Sequence, residues 1–145
     1  MNIDPETELK ILIKKGSVFY FSEESFTKSY PHYFVVLNNN PIDDGDIFMV
    51  AAKSFNLKDI YRFENGNFSR ETFVDISEVE SKCFNRITLF DCNLVIIKDI
   101  NILIEKMKSG KLKNKGYIED EVLKRICNGV ISSPIVENGI KKKIC

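Results

Sequence analysis

The chain has 145 residues, with 21 Lys and Arg against 21 Asp and Glu, so its formal net charge is zero. That length suits one domain, here 1–145, able to bury roughly two-thirds of the surface its unfolded form exposes without a disulfide or metal staple. Zero net charge excludes a whole-molecule positive field as the basis of nucleic-acid binding and leaves only a local patch. The four cysteines, Cys83, Cys92, Cys127 and Cys145, form no C-x-x-C pair, and there is a single His. No metal and no cofactor is therefore expected. The N-terminus lacks the basic flank and apolar run of a signal peptide, and no apolar stretch approaches the roughly 20 residues of a membrane helix. The expectation is a cytoplasmic protein with reduced thiols and no membrane partner.

The first predicted element is a short helix over residues 4–15. Asp4 caps it, Pro5 suits its first position, Leu9, Leu12 and Ile13 share a face, and Gly16 ends it. Residues 17–21 are β-branched and aromatic and read as a strand. A polar connection over 22–32 leads to a second strand at 33–38, apolar on both faces and so central. Asn38 to Pro41 and Asp43 to Asp46 are turn chemistry, with Gly45 supplying positive φ. A third apolar strand follows at 47–52. Residues 53–71 are polar, with a hairpin turn signal at Asn65-Gly66-Asn67. Strands at 72–76, 87–90 and 94–97 bring the expected number to six, with a helical turn at 77–83. Short strands separated by turns favour a small barrel or meander over a βαβ sheet. The β core is thus placed at 16–98 and a helical part at 99–145. Asp99 caps a helix that Ser109-Gly110 ends. Residues 111–117 read as a basic linker, Asp120 starts a second helix that Gly129 ends, and Ser133-Pro134 starts a last one.

Four groups of residues can carry chemistry. His32, in a loop before a central strand, can take or give a proton near neutral pH. Its plain alternative is a loop His bonded to backbone or water. Lys53-Ser54, at a strand end, can present a cation and a hydroxyl to a developing phosphorane. The alternative is a strand edge kept soluble by Lys. Asp91-Cys92-Asn93 places a carboxylate, a thiol and an amide between two strands, which is also what a tight turn requires. A nucleophilic Cys92 needs an activating His, and only His32 is available. Five lysines between Lys106 and Lys115 can contact phosphates or simply solvate a helix end and linker. No Gly-rich phosphate loop, nucleophile elbow or paired-carboxylate motif is present.

In their order these elements resemble the PemK/MazF-like growth-inhibitor family, the toxins of bacterial toxin–antitoxin pairs. The Gly-led first strand is Gly16-Ser17-Val18-Phe19-Tyr20-Phe21. The Arg-Pro-Ala-Val-Val-like run is matched by Pro31-His32-Tyr33-Phe34-Val35-Val36-Leu37-Asn38, and the Pro-Ile-Thr-Ser-like run by Ala51-Ala52-Lys53-Ser54. Asp91-Cys92-Asn93 stands where the family has Asp-Gln, and Glu121-Val122-Leu123-Lys124-Arg125-Ile126 is similar to its Glu-Val-Leu-x-x-Leu helix. The resemblance covers roughly residues 16–130 and is one of order and spacing. It implies an α+β fold, mainly β: an SH3-like barrel of about six strands with C-terminal helices and a short N-terminal helix. It also implies a homodimer, a cognate antitoxin partner and metal-independent cleavage of single-stranded RNA. His32 falls on the family Arg, Lys53 on the family Thr and Ser54 on the following Ser. The implied catalytic set is therefore His32, Lys53 and Ser54, and the implied RNA contacts are Lys28, Tyr33 and Asn93. The competing reading is a non-catalytic barrel that binds a protein or nucleic acid, with Tyr30, Tyr33, Phe34 and Phe55 as its contact surface.

Overall fold

A computed structural model describes residues 3–27, 30–54, 68–77, 79–84 and 86–144. Asp4 accepts the backbone N–H groups of Glu6 and Thr7 at 3.0 and 3.2 Å. These are two of the donors a helix start leaves without an internal partner. Helix α1 spans Pro5–Leu12 and buries Leu9, with Ile13 buried just beyond its end. The chain then reverses at Gly16, whose φ of 92° suits glycine.

The strands are β1 (Ser17–Phe21), β2 (His32–Val36), β3 (Asp46–Ser54), β4 (Phe73–Ile76), β5 (Thr88–Asp91), β6 (Ile96–Asp99) and β7 (Lys113–Tyr117). They form one sheet in the order β4-β5-β3-β2-β1-β7, with β6 also paired to β3, and all the pairings are antiparallel. The mainly β, α+β expectation therefore holds, with seven strands among the described residues where six were expected. The additional one is β7, in the stretch read as a basic linker. Four of its five residues are exposed. It has no apolar alternation to announce it, and its strand geometry comes from pairing with β1.

Strand β3 organises the sheet. One edge pairs with β2; the other is shared by β6 along Asp46 to Met49 and by β5 along Ala52 to Ser54. The pairing with β5 extends β3 two residues beyond the predicted end at Ala52. Ahead of β3, the expected turn includes one helical turn, α2 (Pro41–Asp44), closed by Gly45 at φ 75°. Fully buried Asn38 holds it. Its Nδ2 donates to Asp44 Oδ2 at 2.9 Å and to the Asp46 carbonyl at 2.8 Å, while its Oδ1 accepts the Phe48 N–H at 2.7 Å. The expected helical turn at 77–83 is instead a succession of turns in its described part, and the expected hairpin at 65–67 lies outside the described residues.

Helices cover both faces of the sheet. Helix α3 (Ile100–Lys108) is capped by Asp99, as expected, and packs with α1 against Phe19, Phe21, Phe34, Val36, Ile47 and Met49. Helices α4 (Asp120–Ser132) and α5 (Asn138–Ile144) cover Val18, Val35, Val50, Val74, Ile76 and Phe90 on the other face. Each fully buried Phe or aliphatic side chain contributes about 1.5–3 kcal/mol, so both faces are substantial cores. Helix α4 continues through Gly129, where a stop was expected, and α5 begins at Asn138 rather than Ser133. Among the described residues no helix is long and apolar enough to cross a membrane.

Candidate functional site

Residues opposite each other in an antiparallel pair point to the same face. Tyr33 pairs with Ala52, so His32 and Lys53 occupy the next rung, on the opposite face from that pair. Ala52 pairs with Phe90, which brings Asp91 alongside Ala51 on the face of His32 and Lys53. The register of three strands thus gathers an imidazole, an ammonium and a carboxylate. They line an open cleft of about 330 Å³, closed by Leu94 and by Ser25, Phe26 and Thr27 of the β1–β2 connection.

His32 is half-buried between two aromatic rings. Phe26 meets it edge-on and Tyr30 stacks on it, each with 5.0 Å between ring centroids. Its Nδ1 is buried and has no hydrogen-bond partner among the described residues. Burial holds the imidazole below the ordinary His pKa of 6.5, against a weaker upward pull from the Tyr30 backbone. A neutral imidazole at neutral pH is the form that accepts a proton.

Asp91 is fixed from behind. Its Oδ1 accepts the Asn93 backbone N–H and the Asn93 Nδ2, both at 3.1 Å. Asn93 Nδ2 also donates to Thr72 Oγ1 at 2.8 Å. Asn93 is buried and reaches the cleft only through Asp91. Tyr33 points to the opposite face, where it lies 4.6 Å from the Tyr20 ring and 5.4 Å, edge-on, from Phe84. Ser54 ends β3, but its side chain, like the whole of Lys28, lies outside the described residues. The structure therefore brings His32 and Lys53 together, adds Asp91, and turns Tyr33 and Asn93 away.

The thiol alternative does not survive. Cys92 is fully buried, out of reach of a substrate, and burial, then the Asp91 charge and then Cys127 push its thiol up, against thiolate formation. The aromatic surface of the binding-module reading is also broken up. Tyr30 is exposed, Phe34 is fully buried, Tyr33 faces the other way and Phe55 lies outside the described residues. Lys106, first of the lysine run, is occupied by Glu24 Oε1 at 2.7 Å and by the Ser22 carbonyl at 3.3 Å. Among the described residues no group of three or more His, Cys, Asp or Glu side chains is placed to hold a metal ion.

Neither a family model nor a curated protein matches the sequence. Solved structures do match. One is an endoribonuclease in complex with its cognate antitoxin from Mycobacterial species. It has 9% identity and a TM-score of 0.53, over 83% of this chain and 93% of that one. Another comes from the MazE-MazF structure of Deinococcus radiodurans. There identity is 8% and the TM-score 0.53, over 82% of this chain and 92% of that one. At such identities the likeness is one of fold: the chain has a MazF-like toxin fold.

Proposed function

We propose that this chain is a PemK/MazF-like endoribonuclease that cleaves single-stranded RNA without a metal ion and inhibits growth. The observation that carries the reading is the convergence of His32, Lys53 and Asp91 in one cleft of a MazF-like fold. In the proposed reaction the neutral His32 imidazole takes the proton of a ribose 2′-hydroxyl. The 2′-oxygen bonds to the adjacent phosphorus, the bond from phosphorus to the 5′-oxygen breaks, and the imidazolium returns the proton to that leaving oxygen. Lys53 offsets the extra negative charge of the phosphorane, and Asp91 balances the cleft when His32 is protonated. The products are a 2′,3′-cyclic phosphate and a 5′-hydroxyl.

The test is incubation of the purified protein with mixed-sequence single-stranded RNA in excess chelator. Fragments with 5′-hydroxyl ends are expected, together with a fall of about 100-fold or more in folded His32→Ala and Lys53→Ala. Growth arrest on induction should disappear in the same variants. Intact RNA with the unsubstituted protein would instead favour a non-catalytic barrel, a reading that draws on His32 and Lys53 standing where the family has Arg and Thr. The same proposal includes a cytoplasmic homodimer neutralised by a cognate antitoxin. Light scattering of the purified protein and a screen for a co-expressed protein that relieves the growth arrest test those parts.

A further inference from the structure

One wall of the cleft is a loop, and a buried charge holds it. In the β1–β2 connection, Glu23 is only 4% exposed. Its Oε1 lies 2.8 Å from Lys98 Nζ on β6, a charge contact rather than an aligned hydrogen bond. Its Oε2 accepts the Ser25 Oγ hydrogen at 3.0 Å, and its carbonyl accepts the Phe26 N–H at 3.1 Å. The neighbouring Glu24 reaches Lys106 on α3 at 2.7 Å, and Lys106 also donates to the Ser22 carbonyl. The turn that begins on these anchors presents Phe26, whose ring stands edge-on to His32 and 5.8 Å from the Phe34 ring. Burying a charge pair costs desolvation that its attraction only partly offsets, so the pair is better explained by the geometry it fixes than by stability.

We infer that Glu23 is a positioning residue for His32: through Lys98 and Ser25 it seats Phe26 against the imidazole and so fixes the wall of the cleft. The inference rests on His32 being the reacting base, but its primary test does not depend on cleavage. His32 is the single His of the chain, so one imidazole resonance reports its titration by NMR. The charged groups that line the cleft with it are Lys53 on β3 and Asp91 on β5.

Two effects of Glu23→Gln have opposite signs. Removing a negative charge alone disfavours the imidazolium and moves the His32 midpoint down. Releasing Phe26 lets water reach the ring and moves the midpoint up. The inference expects an upward shift in Glu23→Gln, an upward shift in Phe26→Ala, and little further shift when the two are combined, because Glu23 acts through the Phe26 ring. A downward or absent shift in Glu23→Gln overturns it, as does the same shift with and without Phe26. If Glu23→Gln fails to fold, Lys98→Met attacks the anchor from the other side. Its upward shift must vanish in the Phe26→Ala background, since a direct loss of Lys98 charge persists there. If the protein cleaves RNA, the acidic limb of its pH profile should move with the resonance. If it does not, the titration still decides the positioning role.

Discussion

Gly129, within α4, passes so close to Cys92 that a Cβ on it would stand 2.8 Å from the Cys92 sulfur, and 3.0 Å from the Glu71 carbonyl oxygen. Alanine normally favours a helix interior over glycine by about 1 kcal/mol. Here that gain is overridden, because the nearest atoms belong to a buried side chain and a backbone. Gly129→Ala should destabilise the fold by about 1–3 kcal/mol, the usual cost of overpacking. Urea denaturation measures it, and Cys92→Ala, by removing the sulfur, should recover part of the loss. A more stable Gly129→Ala protein would show that α4 does not dock on the 91–93 turn as described.

The same glycine shows where sequence reading stops. Asp4-Pro5 and Asp99 mark their helix starts because capping is local chemistry, carried by a few consecutive residues. Gly129 looks equally like a helix stop, yet its role is set by Cys92, 37 positions away in sequence. Strand β7 is hidden for a related reason: an exposed Lys-rich edge strand carries no apolar period, and only β1 makes it a strand. Within the site, the apolar runs beside His32 and Lys53 are legible, but their common cleft depends on the register of β2 against β3, which only the structure shows. Asp91 reads as turn chemistry until Asn93 and Thr72 are seen to fix it. Phe26 carries no signal at all, because its contact with His32 depends on how a polar loop folds back.

The Asn93 clamp makes a separate prediction. Asn93→Ala removes two side-chain hydrogen bonds at a buried position and leaves Thr72 and Asp91 with one partner fewer. The expected destabilisation is about 1–3 kcal/mol. Under the proposed reaction, cleavage well below the melting temperature should also fall, because Asp91 loses one of the two Asn93 hydrogen bonds that orient it. Asn93→Asp should be worse on both counts, since it sets a second carboxylate beside Asp91 and removes the amide donor. Urea midpoints and cleavage rates on the same preparations separate the two effects, and a wild-type rate in folded Asn93→Ala removes Asp91 orientation from the mechanism.

Acid should weaken one anchor of the loop. Lys106, more than any other neighbour, pulls the Glu24 carboxyl from its ordinary 4.5 down to about 2. A depressed carboxylate pKa contributes stability that is complete above 4.5 and is lost as pH falls from there towards 2. Glu24 is largely exposed, so solvent limits the contribution to under about 1 kcal/mol. Glu24→Gln should therefore cost little near neutrality and flatten the pH dependence of the urea midpoint in that acidic window. An unchanged slope would mean the pair with Lys106 is not held in solution.

For His32 the linkage has the same sign in a higher pH window. Its folded-state pKa lies below the ordinary 6.5, mainly because burial disfavours the charged ring. Above 6.5 the ring is neutral in both states and contributes no pH dependence. As pH falls below 6.5, the unfolded chain takes up a proton that the folded chain resists, so stability drops. His32→Gln should remove that drop, visible as a smaller change in urea midpoint between about pH 8 and about pH 5.5. Activity should also fall with acid through the same group. A base that stays neutral to lower pH keeps working there, so the acidic limb of kcat/KM should fall below 6.5 and belong to the free enzyme. A limb at or above 6.5 would place the working base somewhere other than the Phe26–Tyr30 slot.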